Sequence, residues 1–257
     1  MNSRPRWSYV QARLQSRHGE RLQEADWQAV EAARSMGQYL EHARALPLRR
    51  FIAHIDVRMS SHAIERVLRE IWRRYVAEVA GWVPAGWRQA VLWTALVPDL
   101  PIIAAVLRAD ATVAWIQQDP VFAKFADPDP RKRDATLTAS PFAPLLAVSE
   151  SDETLAARWF AHWRSLWPHR RGGERELLEI AVTISAHVER LRRAGALETS
   201  APHRRDLALK LARMFRRRSG TPAVFCHLAL VAIDLERLRG GLLRRLLFNP
   251  GGAKEAA

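Results

Sequence analysis

The sequence predicts an all-α protein built from repeated helical lobes. Long segments place apolar residues at steps of three and four, and caps or breakers punctuate them. No alternating run and no two-residue turn signals a strand or hairpin. The strongest segment runs from Ser61 to Arg108. Its first half aligns Ile64, Val67, Leu68, Ile71, Trp72, Tyr75, Val76 and Val79 on one stripe, with Glu65, Arg66, Arg69, Glu70, Arg73 and Arg74 opposite. Its second half, Gln89 to Leu107, carries no charge except Asp99, and an acid there needs a partner because burying it alone is costly.

Taken in order, residues 7–18 read as a first helix, with Tyr9, Val10, Arg13, Leu14 and Arg17 at helical spacing and Gly19 as the stop. Asp26 is the expected N-cap of a helix to Ala33. Ser35 and Gln38 fit a capping box for a helix through Ala43, which Pro47 closes. Leu48–Val57 reads as a short helix, and Ser61 as the cap of residues 62–79. Gly81, Pro84 and Gly86 form a turn before 87–97, and Pro98 and Pro101 kink or restart the chain before 102–107.

Asp119-Pro120, Asp127-Pro128, Asp129-Pro130, Pro141 and Pro144 then mark 119–150 as a linker or extended surface segment. Helix resumes after the capping cluster Ser149–Glu153, over 152–167, where Trp159, Trp163 and Trp167 repeat on one stripe. Further helices are expected over 174–194, capped by Gly195, over 202–217, and over 222–247 after the N-cap Thr221 and first-turn Pro222, with a bend at Gly240-Gly241. The resulting organisation is an N-terminal lobe 1–118, the segment 119–150, a C-terminal lobe 151–250 and a frayed tail 251–257.

With 40 Lys and Arg against 27 Asp and Glu, the formal net charge of the 257 residues is +13. Such a field favours nucleic acid, anionic lipid or an acidic protein without choosing among them. Cys226 is the single cysteine, which excludes an intramolecular disulfide and fits a reducing cytoplasmic compartment. The first twenty residues lack the apolar core of a signal peptide. The apolar runs Gln89–Leu107 and Thr221–Ile233 read as buried helices rather than membrane spans.

No phosphate loop, dinucleotide fingerprint, nucleophile elbow or paired zinc histidines occur. No cofactor or metal site is expected, and no enzymatic activity. Asp99-Leu100 and Asp234-Leu235 hold similar places near the ends of two uncharged stretches, each preceded by an Arg-rich segment, REIWRR or RMFRRR, and Arg108 roughly matches Arg244. Chance similarity of two Arg/Leu-rich helices explains this, or a true repeat of stacked modules. Either acid could be catalytic, cap a neighbouring helix or pair with an arginine; the repeat favours a structural tie. The ten tryptophans fit core packing, with base stacking or a partner interface as the other reading. The basic runs, among them Arg73-Arg74, Arg131-Lys132-Arg133, Arg170-Arg171 and Arg216-Arg217-Arg218, are solvated faces or together an anion-binding surface.

Several short motifs nevertheless resemble a known family. Tyr9-x-x-Ala12-Arg13 is similar to the opening of the C/d-type subunits of V-type ATPases. Asp26-Trp27, Ala33-x-Ser35, Tyr39-Leu40, Ile64-Glu65, Tyr75 and the closing stretch Ala223–Arg244 follow in the family's order. Leu46-Pro47-Leu48 departs from the family's Thr-x-Tyr, and the chain is shorter than typical members. The resemblance implies repeated helical lobes and a non-catalytic coupling subunit. Such a subunit lies on the cytoplasmic face of the membrane and joins the central stalk to the proteolipid ring. Tyr9, Arg13, Arg73, Arg74, Arg216, Arg217 and Arg218 are then the expected partner-binding residues, and Glu65, Asp99 and Asp234 structural acids. The competing expectation is a basic helical protein that binds nucleic acid or acts as a regulator.

Overall fold

Helices begin in this chain where a side chain or a turn can serve the first free backbone N–H groups. The computed structural model describes residues 4–107, 114–146, 154–168, 173–194 and 200–248, and among these the fold is all-α with no strand. In chain order the helices are α1 (Arg4–Gly19), α2 (Glu24–Glu31), α3 (Met36–Arg44), α4 (Arg49–Ile52), α5 (Ser61–Trp82), α6 (Ala85–Trp93), α7 (Leu100–Leu107), α8 (Ala114–Gln117), α9 (Pro130–Thr138), α10 (Leu155–Ser165), α11 (Glu174–Ala194), α12 (Ser200–Arg217) and α13 (Thr221–Phe248). The expected Ser149–Glu153 cluster, Arg108, Arg170-Arg171, Gly195 and the tail lie outside the described residues.

The caps explain the shifts in register from the sequence reading. Ser35 caps α3 as expected, its Oγ accepting from Gln38 N at 3.2 Å. Asp26 is not the N-cap of α2; it sits one turn in and accepts from the Gln23 backbone N–H at 2.9 Å, the return half of a capping box. Ser60 rather than Ser61 caps α5, accepting from Ala63 N at 3.3 Å. Thr221 is the first residue of α13, preceded by Gly220 at φ 67°. The short helix expected over 48–57 shrinks to α4, because Ala53–Arg58 turns instead. Between α6 and α7 the chain tightens to a 3-10 helix, Thr94–Asp99, around Pro98. A proline lacks the N–H that an α-helical bond would require there.

The chain forms two compact units, Met1–Pro84 with Arg170–Ala257, and Ala85–His169. The Ser61–Arg108 stretch, expected within one N-terminal lobe, is shared between the two units, with the division between α5 and α6. The first unit is built on α13, whose residues from Thr221 to Leu228 are buried without interruption. An uncharged stretch of this kind needs neighbours on all sides, and α1, α3, α5, α11 and α12 pack on α13. Ile64, Leu68, Ile71, Trp72, Tyr75, Val76 and Val79 of α5 are all buried; Val67 of the expected stripe is only half-buried, and Arg69, expected on the opposite face, is buried.

The second unit absorbs the region expected to be a linker. Asp129 caps α9 through Arg131 N at 2.9 Å with Pro130 in the first turn, so an Asp-Pro read as a breaker is a helix start. Phe122, Phe125 and Phe142 pack with ring centroids 5.7–6.2 Å apart, and Leu137 and Leu145 are buried beside them in sequence. Trp93, Trp159, Trp163 and Trp167 are also buried, Trp93 donating its indole N–H to the Trp159 carbonyl at 3.1 Å. The run Ala85–Leu107 is long and apolar enough to cross a membrane by length and composition; 44% of its most apolar window is buried in the fold, and Asp99 within it is 1% exposed.

Candidate functional site

The most distinctive chemistry lies along one stripe of α13 in the first unit. Asp234, Arg237, Gly241 and Arg245 step by three and four residues, which places them on a single helix face. Each meets a segment from the N-terminal part of the chain. Arg21, just after α1, grips Asp234 with Nε at 2.7 Å and Nη2 at 2.8 Å. Burial pushes the Asp234 carboxyl above its ordinary value, and the Arg21 bonds pull it back.

One turn on, Arg237 meets α2. Glu24, Trp27 and Glu31 occupy one face of that helix. Arg237 donates to both oxygens of Glu24 at 2.9 and 3.0 Å and to both oxygens of Glu31 at 2.6 and 2.8 Å. Its guanidinium also lies over the Trp27 ring at 4.8 Å. Burial alone would lower the Arg237 pKa; the two carboxylates overcome it and raise it. On the α5 side of α13, Arg239 donates through Nε to Glu65 at 3.0 Å.

Arg245 ends the stripe without a carboxylate. It donates to the Ala33 carbonyl at 3.0 and 2.7 Å, to Glu31 O at 2.7 Å and to Gly241 O at 2.8 Å. Carbonyls at and just past the end of α2 lack intrahelical partners and carry the negative end of its dipole, so this arginine acts as a cap supplied from a distant helix. It also stacks over the Tyr39 ring at 4.1 Å. Burial lowers the Arg245 pKa.

Beside Asp234, Glu20, Arg21, Trp27, Arg50 and Phe51 line a cleft that encloses about 10 Å³, room for a single water. Deeper in the unit, the Tyr75 hydroxyl and His227 Nε2 share a hydrogen bond of 2.7 Å. Burial, with positive charge on neighbours including Arg21 and Arg50, takes His227 down to about 3. His18, stacked on Phe215 at 4.2 Å, falls to about 4 for the same reasons. Burial holds Tyr75, Tyr39 and the Cys226 thiol up at about 12. These groups stay neutral near pH 7. Among the described residues no set of three His, Cys, Asp or Glu side chains is grouped to hold a metal.

No family model matches the chain, and no curated protein sequence matches it. Its local geometry carries the functional reading.

The residues singled out from sequence fall into different settings. Glu65 and Asp234 are fastening acids, in ion pairs with Arg239 and Arg21. Asp234 lies in the middle of α13 and pairs with Arg21 just after α1, whereas Asp99 closes a 3-10 helix of the other unit, so the two are not equivalent positions. Tyr9 is 53% exposed, and Arg13 lies over the Trp82 ring at 5.0 Å and 3.7 Å from Glu78. Arg73 and Arg74 sit 3.7 and 3.9 Å from Glu70 on their own helix. Arg218 is bonded to Glu176 at 3.2 Å and Glu179 at 2.9 Å, while Arg216 and Arg217 are exposed. The sequence reading missed Arg21, Arg237, Arg239 and Arg245. The spacing of Asp234, Arg237, Gly241 and Arg245, and the seven-residue step from Glu24 to Glu31, were the signals available.

Proposed function

We propose that the protein is a non-catalytic coupling subunit of a V-type rotary ATPase, a stiff helical connector between central stalk and membrane ring on the cytoplasmic face. The observation that carries this reading is the fastening of α13. One helix near the C-terminal end is tied by Arg21–Asp234, Arg237–Glu24/Glu31, Arg239–Glu65 and the Arg245 cap to segments more than 170 residues earlier. A connector that passes torque must resist shear between its helices. Multidentate arginine contacts fix both distance and angle, which apolar packing alone does less strictly. The ordered motifs from Tyr9 to Arg244 point the same way.

The fastening also bears on the nucleic-acid alternative. Arg17, Arg21, Arg50, Arg190, Arg218, Arg237 and Arg239 are already bonded to carboxylates within the fold. Seven of the 40 basic residues are thus tied into the fold, while the net charge of +13 stays as it is. Purification of the tagged chain from its host should recover stalk and ring subunits; recovery of no rotary-ATPase component from solubilised membranes would overturn the proposal. Nucleic-acid binding through about six phosphates would instead appear in low-salt gel shifts with a log–log salt slope near −5.

A further inference from the structure

Helix α11 packs one side against α12 and α13, and Leu177, Ile180 and His187 are buried along it. The opposite side carries Leu178, 38% exposed, and Val182, 66% exposed, one turn apart. Away from the last turn of α13, Val182 is the most exposed large apolar side chain among the described residues. Ser185 and Ala186 are exposed one turn further on, and Ala181 is half-buried beside them. Two large apolar groups among small ones form a shallow face that a second helix can approach closely, at the 8–10 Å between axes usual for packed helices.

The charges of α11 are arranged symmetrically about this face. On the flank toward α12 they are taken up within the fold: Arg218 holds Glu176 at 3.2 Å and Glu179 at 2.9 Å, and Asp206 holds Arg190 at 3.3 Å. Arg175 is exposed and makes no ion pair among the described residues. It lies seven residues before Val182, and Glu189 lies seven residues after it. Seven residues are nearly two full turns, so Arg175, Val182 and Glu189 share one side of the helix, with each charge about 10 Å from Val182 along the axis.

We propose that α11 is a self-association surface, on which a second copy of the chain docks with its own α11 antiparallel and the twofold axis at Val182. In a twofold contact, residue i of one copy meets residue j of the other, and j meets i. Here Val182 meets Val182, and Arg175 of each copy meets Glu189 of the other. Leu178 lies level with Ala186 of the second copy, large against small. A parallel pair would set Arg175 against Arg175 and Glu189 against Glu189, so the charges select the antiparallel direction. A phosphate-bearing partner is disfavoured, because the acids Glu174 and Glu189 flank the face and offset its exposed cation. The proposal stands on α11 alone and does not depend on the rotary-ATPase reading.

Sedimentation equilibrium of the full chain tests this. One helix pair is at the small end of specific interfaces, so a dimer is expected with a Kd of about 10–100 μM. Val182→Lys sets two cations face to face in place of two buried valines and should weaken it about a hundredfold. Leu209→Lys adds the same charge at an exposed apolar site on α12 and should change it less than about threefold. Arg175→Glu and Glu189→Arg should each weaken the dimer about tenfold, because each change sets like charges opposite one another twice. The double variant R175E/E189R restores both pairs with their signs exchanged and should recover the original Kd. A Val182→Cys variant should form a disulfide-linked dimer on mild oxidation, and Leu209→Cys should not; Cys226 is buried and takes no part. Far-UV circular dichroism should show unchanged helicity in every variant. A chain that stays monomeric up to about 500 μM would overturn the proposal. So would a dimer indifferent to Val182→Lys, or a double charge variant no tighter than the single ones.

Discussion

Gly240 and Gly241 are neighbours inside α13, and substituting each by alanine should give stability changes of opposite sign. Helix propensity alone favours both changes by about 1 kcal/mol. At Gly240 a Cβ would find only the tip of Arg204, 4.0 Å away, so Gly240→Ala should stabilise by about 0.5–1 kcal/mol. At Gly241 a Cβ would lie 2.7 Å from Tyr39 Cζ and 3.0 Å from Cε2, and closer still to the hydroxyl. Tyr39 has no room to retreat: its exposure is 0% and Arg245 lies over its ring at 4.1 Å. Overpacking of this kind costs about 1–3 kcal/mol, and loosening the Arg245 bonds adds to it. The propensity gain offsets only part, leaving Gly241→Ala destabilised by about 2 kcal/mol. Urea denaturation followed by helical ellipticity would resolve the pair, and Tm shifts of about 2–4 °C per kcal/mol should agree. The cycle with Tyr39→Ala should show strong coupling to Gly241→Ala and none to Gly240→Ala. If Gly241→Ala is as stable as Gly240→Ala, the inferred close contact between α3 and α13 is wrong.

Arg21→Met should destabilise by about 3–5 kcal/mol because it leaves the buried Asp234 carboxylate without its partner, and adding Asp234→Leu should recover most of that loss; a double variant no more stable than Arg21→Met would refute this account. His227 is held near 3 in the fold against about 6.5 in the unfolded chain, so the unfolded state takes up the proton first as pH falls. Stability is therefore full above pH 6.5 and declines below it, by about 2 kcal/mol between pH 7 and 5 from this residue alone. His18 acts in the same direction. Urea midpoints across that range, taken above the ordinary carboxylate values, should fall less steeply in His227→Phe, with the His18 contribution remaining. Arg237→Met should release α2 from α13; faster amide exchange across Glu24–Glu31, with α5 and α12 unchanged, is the expected reading.

Periodicity made the all-α class legible because apolar residues at helical spacing leave no other way to bury a face. Long stripes such as Ile64–Val79 survived almost unchanged. Local signals failed where one residue type serves two purposes. Asp-Pro opens α9 at Asp129-Pro130 with the same letters that end helices elsewhere. The segment 119–150 looked like a linker because it is rich in Asp and Pro; its apolar residues converge only after several short turns bring Phe122, Phe125 and Phe142 together. The division after Pro84 was equally hidden, since α5 and α6 both carry apolar faces and nothing in one sequence says that they belong to different cores. Long-range pairs such as Arg237 with Glu24 are set by tertiary packing, and no local pattern can name a partner 213 residues away.

The arginines thus divide into two populations, and the division follows helix face. Those facing inward from α13 are bonded several times over and fix the register of α13 against α2, α3 and α5. Each such contact is worth more than an exposed pair because it is multidentate and partly shielded from water. Arg213, Arg216 and Arg217, exposed on α12, hold no carboxylate among the described residues, and Asp206 of that helix pairs with Lys210 and with Arg190 of α11. A chain selected only for solubility has no need of so many inward arginines, since apolar residues of similar volume would serve packing as well. What multidentate pairing adds is resistance to sliding: moving α13 by one turn along α2 would break all four Arg237 bonds and leave Glu24 and Glu31 facing Gly241 or Asp234. A body locked against that motion can carry force along α13 into the rest of the first unit without shearing its core.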